Sequence, residues 1–131
     1  MPESEAPALT AVVVAADEEI RVLLRGLLRL HHFRVLGEAD GVGQAIGLVR
    51  TSPPSVLVAD MELAEGTPSL LLQELRRLSP GVRSVFVGPP TPDGPASLGS
   101  ERPDALLQRP FRVREFAEAI GVLPSDPPAA S

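Results

Sequence analysis

Apolar positions along the chain change period from element to element. Ala11-Val12-Val13-Val14 is a continuous, mostly β-branched run, the pattern of a strand covered on both faces. Ile20, Leu23, Leu24, Leu27 and Leu28 then recur at the spacing of an amphipathic helix. Asp17-Glu18-Glu19 precede that helix, where its positive end favours acids, and Arg21, Arg25 and Arg29 recur every fourth residue on another side. A second strand is expected over 33–38, and a second helix around Val42, Ala45, Ile46 and Val49, diluted by Gly43 and Gly47. Pro53-Pro54 ends that unit. Ser55-Val56-Leu57-Val58-Ala59 is a third apolar run closing on Asp60. Pro68 marks a helix start before Leu70, Leu71, Leu72, Leu75 and Leu78. Three leucines in a row cannot all face inward, so one of them is expected at the surface or in an interface. Ser79-Pro80-Gly81 is a turn, 83–87 a fourth strand, 104–108 a weak fifth strand, and 113–122 a last helix.

Strands alternating with helices imply an α/β fold, with a doubly wound, five-stranded parallel sheet covered on both faces by right-handed crossovers. In such folds the site lies outside the carboxyl ends of the strands. The positions to examine are therefore Ala15-Ala16-Asp17, Asp60, Gly88-Pro89 and Arg109-Pro110.

Composition narrows the choice. A length of 131 residues suits one domain. Cys is absent, which excludes disulfides, zinc–thiolate sites and thiol catalysis. The net charge of -5 argues against a duplex-binding surface, and four Phe with no Tyr or Trp argue against a base-stacking platform. No nucleic-acid or membrane partner is therefore expected. The start lacks a basic segment followed by an apolar run, and no apolar stretch is long enough to span a bilayer, so a soluble cytoplasmic protein is expected. Residues 1–7 and 124–131 read as disordered flanks around one domain over 8–123. Pro is unevenly spread: none falls between 8 and 52, whereas five of the 15 lie from Pro89 to Pro103. An irregular or shortened helix is expected there.

The strand ends resemble those of response-regulator receiver domains over about residues 8–123. An apolar first strand is followed by an acidic loop and Ile20-Arg21, two residues before Leu23-Leu24. Ala39-Asp40-Gly41 with Gln44-Ala45-Ile46 is similar to the family's entry into its second helix. Pro54-Ser55-Val56-Leu57-Val58-Ala59-Asp60 looks like the strand ending in the phospho-acceptor Asp, and Arg109-Pro110-Phe111 resembles the family's Lys-Pro-Phe. The resemblance implies flavodoxin-like strand order 2-1-3-4-5, a cis peptide bond before Pro110, and a role in two-component signalling through a protein partner such as a kinase, scaffold or output protein. A homodimer is compatible with it.

The same resemblance exposes what is missing. Phosphoryl transfer to a carboxylate relies on positioning and charge neutralisation. In the family, two acids after the first strand hold Mg²⁺ together with the acceptor, and a hydroxyl residue and a Lys stabilise the phosphoryl oxygens. Here the acidic pair aligns with Ala15 and Ala16, the hydroxyl with Gly88, the Lys with Arg109 and the aromatic switch residue with Leu106. Only Asp60 stands unchanged. Mg²⁺ binding is expected to be weak or absent, because one carboxylate is a poor cage for a cation that demands octahedral oxygen ligands. No other cofactor and no catalytic residue is implied.

Each of these residues has a plainer reading. Asp17 is either a slipped metal ligand or the N-cap of the first helix, and a cap needs no second partner. Arg109 either faces solvent or pairs with Asp60, whose carboxylate matches a guanidinium fork. Asp60 is either a live acceptor or a retained acid held by Arg109. Gly41-Val42-Gly43 hints at a nucleotide loop, but its spacing and its distance from the preceding strand are wrong. The Arg21, Arg25, Arg29 stripe is either a solvated face or a docking surface. His31-His32 lacks a third ligand for a metal. The reading that fits best is a stand-alone, non-enzymatic pseudo-receiver acting by protein–protein interaction. Its alternatives are a competent phospho-receiver or phosphorelay member using Asp60, and a small nucleotide-binding α/β domain.

Overall fold

The computed structural model describes residues 9–89 and 98–123. The expected flanks 1–7 and 124–131, and most of the Pro-rich stretch after β4, lie outside the described residues. The elements follow in the order β1 (Thr10–Val14), α1 (Glu18–Leu30), β2 (Arg34–Ala39), α2 (Val42–Thr51), β3 (Val56–Asp60), α3 (Pro68–Leu78), β4 (Arg83–Gly88), β5 (Ala105–Gln108) and α4 (Val113–Ala119). The strands form one parallel sheet in the order β2-β1-β3-β4-β5. Strand order reverses between β1 and β3, which opens a crevice at their carboxyl ends.

Alternation along the strands sorts the core into two layers. Val12, Val14, Leu57, Ala59 and Phe86 point to one face, where they meet Ala45, Ile46 and Val49 of α2 and Leu71, Leu72 and Leu75 of α3. Ala11, Val13, Val56, Val58, Val85 and Val87 point to the other, against Leu24 and Leu28 of α1 and Phe116 of α4. Every residue of β3 is buried, as a central parallel strand requires. Leu71 and Leu72 enter the core while Leu70 stays 41% exposed.

Between β4 and β5 the described residues contain no α-helix. Leu98 is nonetheless buried and belongs to the α2/α3 layer. Glu101 behind it is held by Arg76 of α3 at 3.1 Å.

Most boundaries shift by a residue, and two of the shifts have a cause in helix termination. The second strand starts at Arg34 instead of residue 33, because Phe33 completes the end of α1. His32 adopts a left-handed conformation at φ 68, and its N–H donates to the Arg29 carbonyl at 2.9 Å. Phe33 N–H donates to the Leu28 carbonyl at 3.0 Å, and its ring joins the layer that holds Leu28. This is a Schellman ending with His where Gly is usual. The last helix likewise stops at Ala119, because Gly121 at φ 89 forms the same ending, with Val122 N–H on the Ala117 carbonyl at 3.1 Å. Arg83 Nε donates to the Ala119 carbonyl at 2.6 Å, placing a cation at the negative end of α4.

His32→Gly removes left-handed strain worth about 1–2 kcal/mol, less the entropy that Gly adds to the unfolded chain. The variant is expected to melt a few degrees higher in a thermal unfolding scan. An unchanged or lower Tm contradicts the left-handed ending.

Candidate functional site

β3 delivers Asp60 to the crevice as its last residue. The carboxylate is 2% exposed, and its Oδ1 accepts a hydrogen bond from Arg109 Nη1 at 2.9 Å. Arg109 directly follows β5, and its backbone N–H donates to the Gly88 carbonyl at 2.8 Å, fixing the residue beside the end of β4. From there its side chain spans β4 and reaches Asp60. The Arg109–Pro110 bond is cis. The guanidinium side is less buried, at 31% side-chain exposure, so the pair closes the crevice like a cover with one wet face.

The positions that follow β1 and end β4 carry no polar side chain. Ala15 lies beside Asp60, since Val14 registers with Ala59, and it is fully buried. Gly88 is buried, and a Cβ placed on it comes 2.9 Å from Met61 Cγ. The side chain of Met61 thus takes up the space that a residue larger than Gly would need there. Asp60, Met61, Glu62, Pro89 and Arg109 line a pocket of about 290 Å³. Leu106 is 38% exposed on β5, opposite Phe86 in register.

The loop after β1 is tied down by groups that the sequence did not single out for this purpose. Arg21 Nη1 donates to the Ala15 carbonyl at 2.6 Å and to the Ala16 carbonyl at 3.2 Å. Glu38 at the end of β2 steers the guanidinium from 3.7 Å and pairs with Arg25 at 2.5 Å. Two of the three arginines of the stripe read as a solvated face or a docking surface are therefore engaged within the chain, and of the three Arg29 alone is exposed. Ala16 N–H donates to the Glu62 carbonyl at 3.1 Å, linking this loop to the one after β3. Asp17 is the N-cap of α1, accepting from Glu19 N–H at 2.7 Å.

The loop after β3 is anchored on the other side. Gly41 caps α2 without a side chain of its own, and Glu65 supplies what it lacks. Gly43 N–H donates to Glu65 Oε2 at 2.6 Å and Val42 N–H to the Glu65 carbonyl at 3.1 Å. Gly66, at φ 81, lets the chain turn against Val42. An internal carboxylate thus occupies the helix N-terminus that a nucleotide phosphate would require, which speaks against the Gly41-Val42-Gly43 nucleotide loop. A Glu-Gly pair in the loop and a glycine N-cap were both visible in the sequence, but nothing local linked residues 22 positions apart.

No family model and no curated protein sequence matches the chain. Solved structures do. A response-regulator receiver domain protein from Clostridium thermocellum superposes with a TM-score of 0.74 at 16% identity, covering 87% of this chain and 92% of that one. A LuxR-family two-component response regulator from Aurantimonas reaches 0.77 at 18% identity, over 88% and 84%. A LuxR-family DNA-binding response regulator from Staphylococcus aureus reaches 0.75 at 21% identity, over 87% and 97%. The chain has the receiver fold.

Asp60 ends the third strand, the position that the resemblance read from the sequence gives to an acceptor carboxylate, and Mg²⁺ is the group that this resemblance leads one to test. The residues present do not fit it. Ala15 and Ala16 bring no side-chain oxygen, Arg21 takes up their carbonyls, and Arg109 holds one oxygen of Asp60. Among the described residues no three acidic, His or Cys side chains converge as a metal site would need. A guanidinium also brings a fixed positive charge to the place where a divalent cation would add two more. No helix of the described residues is long and apolar enough to cross a membrane.

Proposed function

We propose that this protein is a signal-transduction module of the receiver type that works by binding another protein and does not depend on Mg²⁺-assisted phosphorylation of Asp60. The observation that carries this reading is the Arg109–Asp60 ion pair. The acceptor oxygen is already in a charge-assisted hydrogen bond with a residue of its own chain, so an incoming phosphoryl group competes with it. The loss of metal carboxylates at Ala15 and Ala16, and of a hydroxyl at Gly88, supports the same conclusion. The pair imitates a fixed signalling state in place of a switched one. The module has no catalytic residue and acts in the cytoplasm.

The pocket beside Asp60, with Glu62 and Arg109 on its wall, favours one alternative, a receiver that accepts a phosphoryl group through an unusual pocket. Incubation with a small phosphodonor and Mg²⁺, followed by intact mass, separates the two. The expected result is an unmodified mass, together with an unchanged Tm in the presence of Mg²⁺ and beryllofluoride. A phosphoryl adduct that disappears in Asp60→Asn overturns the proposal. Affinity of Asp60→Ala for the signalling partner tests the fixed-state reading, and an unchanged affinity in a folded variant sinks it.

A further inference from the structure

The outward face of α1 breaks the usual rule for a surface helix. Leu24 and Leu28 face the sheet, so the opposite side should be polar. Instead Val22 is 47% exposed, Leu23 46% and Leu30 59%. Gly26 sits at the centre of that face, half a turn from both buried leucines, and a Cβ built on it meets nothing within 4 Å. The apolar surface continues sideways. Leu23 and Leu27 line, with Arg109, Pro110, Phe111 and Val113, a groove of about 580 Å³, and Val113 itself is 51% exposed. A contiguous patch of this kind on a surface marks an interface.

The charges on the same face say which partner fits. Glu18 and Glu19 lie at its N-terminal end and Arg29 at its C-terminal end, and none of the three is in an ion pair among the described residues. Arg21 and Arg25, by contrast, turn inward to Glu38. A face that is acidic at one end, apolar and flat in the middle, and basic at the other is complementary to itself when turned end for end. We propose that it is the interface of a homodimer, in which α1 packs antiparallel on α1 of a second copy about a two-fold axis. Leu23 then lies over the partner's Gly26, where the missing side chain lets the helices approach closely, and Glu18 and Glu19 face the partner's Arg29. A parallel arrangement sets like charges side by side and leaves Leu23 without a recess. Such an interface is isologous, as closed dimers require. It lies on the outer side of α1 and involves neither Asp60 nor phosphorylation, so it stands or falls separately from the proposed function.

The test is sedimentation of the full chain over a wide concentration range. A reversible monomer–dimer equilibrium is expected, weakened by salt. Gly26→Arg should weaken the dimer by at least about tenfold, since it places a long charged side chain at the interface centre. It should also raise the Tm of the monomer, because Gly is the poorest ordinary helix residue and the site has room. Glu19→Arg and Arg29→Glu should each weaken association, and the double variant should restore it. A chain that remains monomeric up to its solubility limit overturns the proposal and leaves the face to a different protein. A dimer indifferent to Gly26→Arg overturns it as well. A double charge reversal that fails to recover affinity overturns the antiparallel arrangement.

Discussion

Arg109→Met is expected to destabilise the protein by roughly 2–3 kcal/mol, seen as a fall in Tm on the order of 10 °C. The reasoning begins at Asp60. Its carboxylate is 2% exposed and Arg109 is the cation that reaches it, at 2.9 Å. Removing the cation leaves a buried charge without compensation, which costs about 3–5 kcal/mol in fully buried pairs. Here the cost is lower, because the Arg109 side chain is 31% exposed and the adjoining pocket admits water. Met keeps the apolar stem and removes only the charge and the donor. The converse change, Asp60→Ala, should cost less, since the freed guanidinium can turn into solvent. The two changes together should therefore cost clearly less than their sum, with a coupling of about 1 kcal/mol or more by chemical denaturation. Additivity within about 0.5 kcal/mol shows that the pair is not energetically coupled. The fixed-state reading of the site then loses its support.

Gly66→Ala should be at least as damaging, at roughly 2–5 kcal/mol. Two costs combine. The residue sits at φ 81, where any L side chain is strained by about 1–2 kcal/mol. The new methyl would also lie 2.3 Å from Val42 Cγ2, and overpacking a buried contact typically costs about 1–3 kcal/mol. Val42 is a buried core residue at the first turn of α2, so it cannot move aside without disturbing the helix that Glu65 caps. In a Val42→Ala background the contact with Cγ2 is gone, but the Cβ of residue 42 still lies 2.8 Å from the new methyl, so the cost of Gly66→Ala should fall yet stay above the about 1–2 kcal/mol of backbone strain alone. Urea unfolding of the four proteins in this cycle distinguishes the two costs. A Gly66→Ala variant within 0.5 kcal/mol of the parent, by the usual margin for neutral surface changes, contradicts the left-handed turn that anchors the loop after β3.

The periodic parts of this chain were readable residue by residue. The run at 11–14, the helical spacing from Ile20 to Leu28, and Pro68 before a leucine-rich segment each carry a local physical preference, and each became the element expected. Boundaries were less readable, because helix ends are set by single residues in unusual conformations. His32 at positive φ is not a residue type that announces a stop, and Gly121 was passed over because the apolar spacing continues to Val122. Receiver-like strand ends also led directly to Asp60, Ala15, Ala16, Gly88 and Arg109, so the composition of the site was visible before its geometry was.

What could not be read were contacts between positions far apart in sequence. Arg21 belonged to an evenly spaced stripe that looked solvated, yet it binds the carbonyls of Ala15 and Ala16 because Glu38 lies on the neighbouring strand. Met61 fills the space beside Gly88, and Glu65 closes the N-terminus of α2. Apolar positions in α1 beyond those needed for the core counted as helix pattern until burial showed which of them face outward.

By itself, the sequence determined the alternation of strands and helices, the burial of the central strands on both faces, and the chemistry absent from the crevice. Periodicity is a local property, and an alanine has no ligand atom in any fold. Only the tertiary structure decided that Arg109 meets Asp60, that the loops around them are pinned by Arg21 and Glu65, and that Leu23, Gly26 and Leu30 form a bare surface. Those outcomes depend on which strand lies next to which, and a parallel sheet brings together residues separated by dozens of positions.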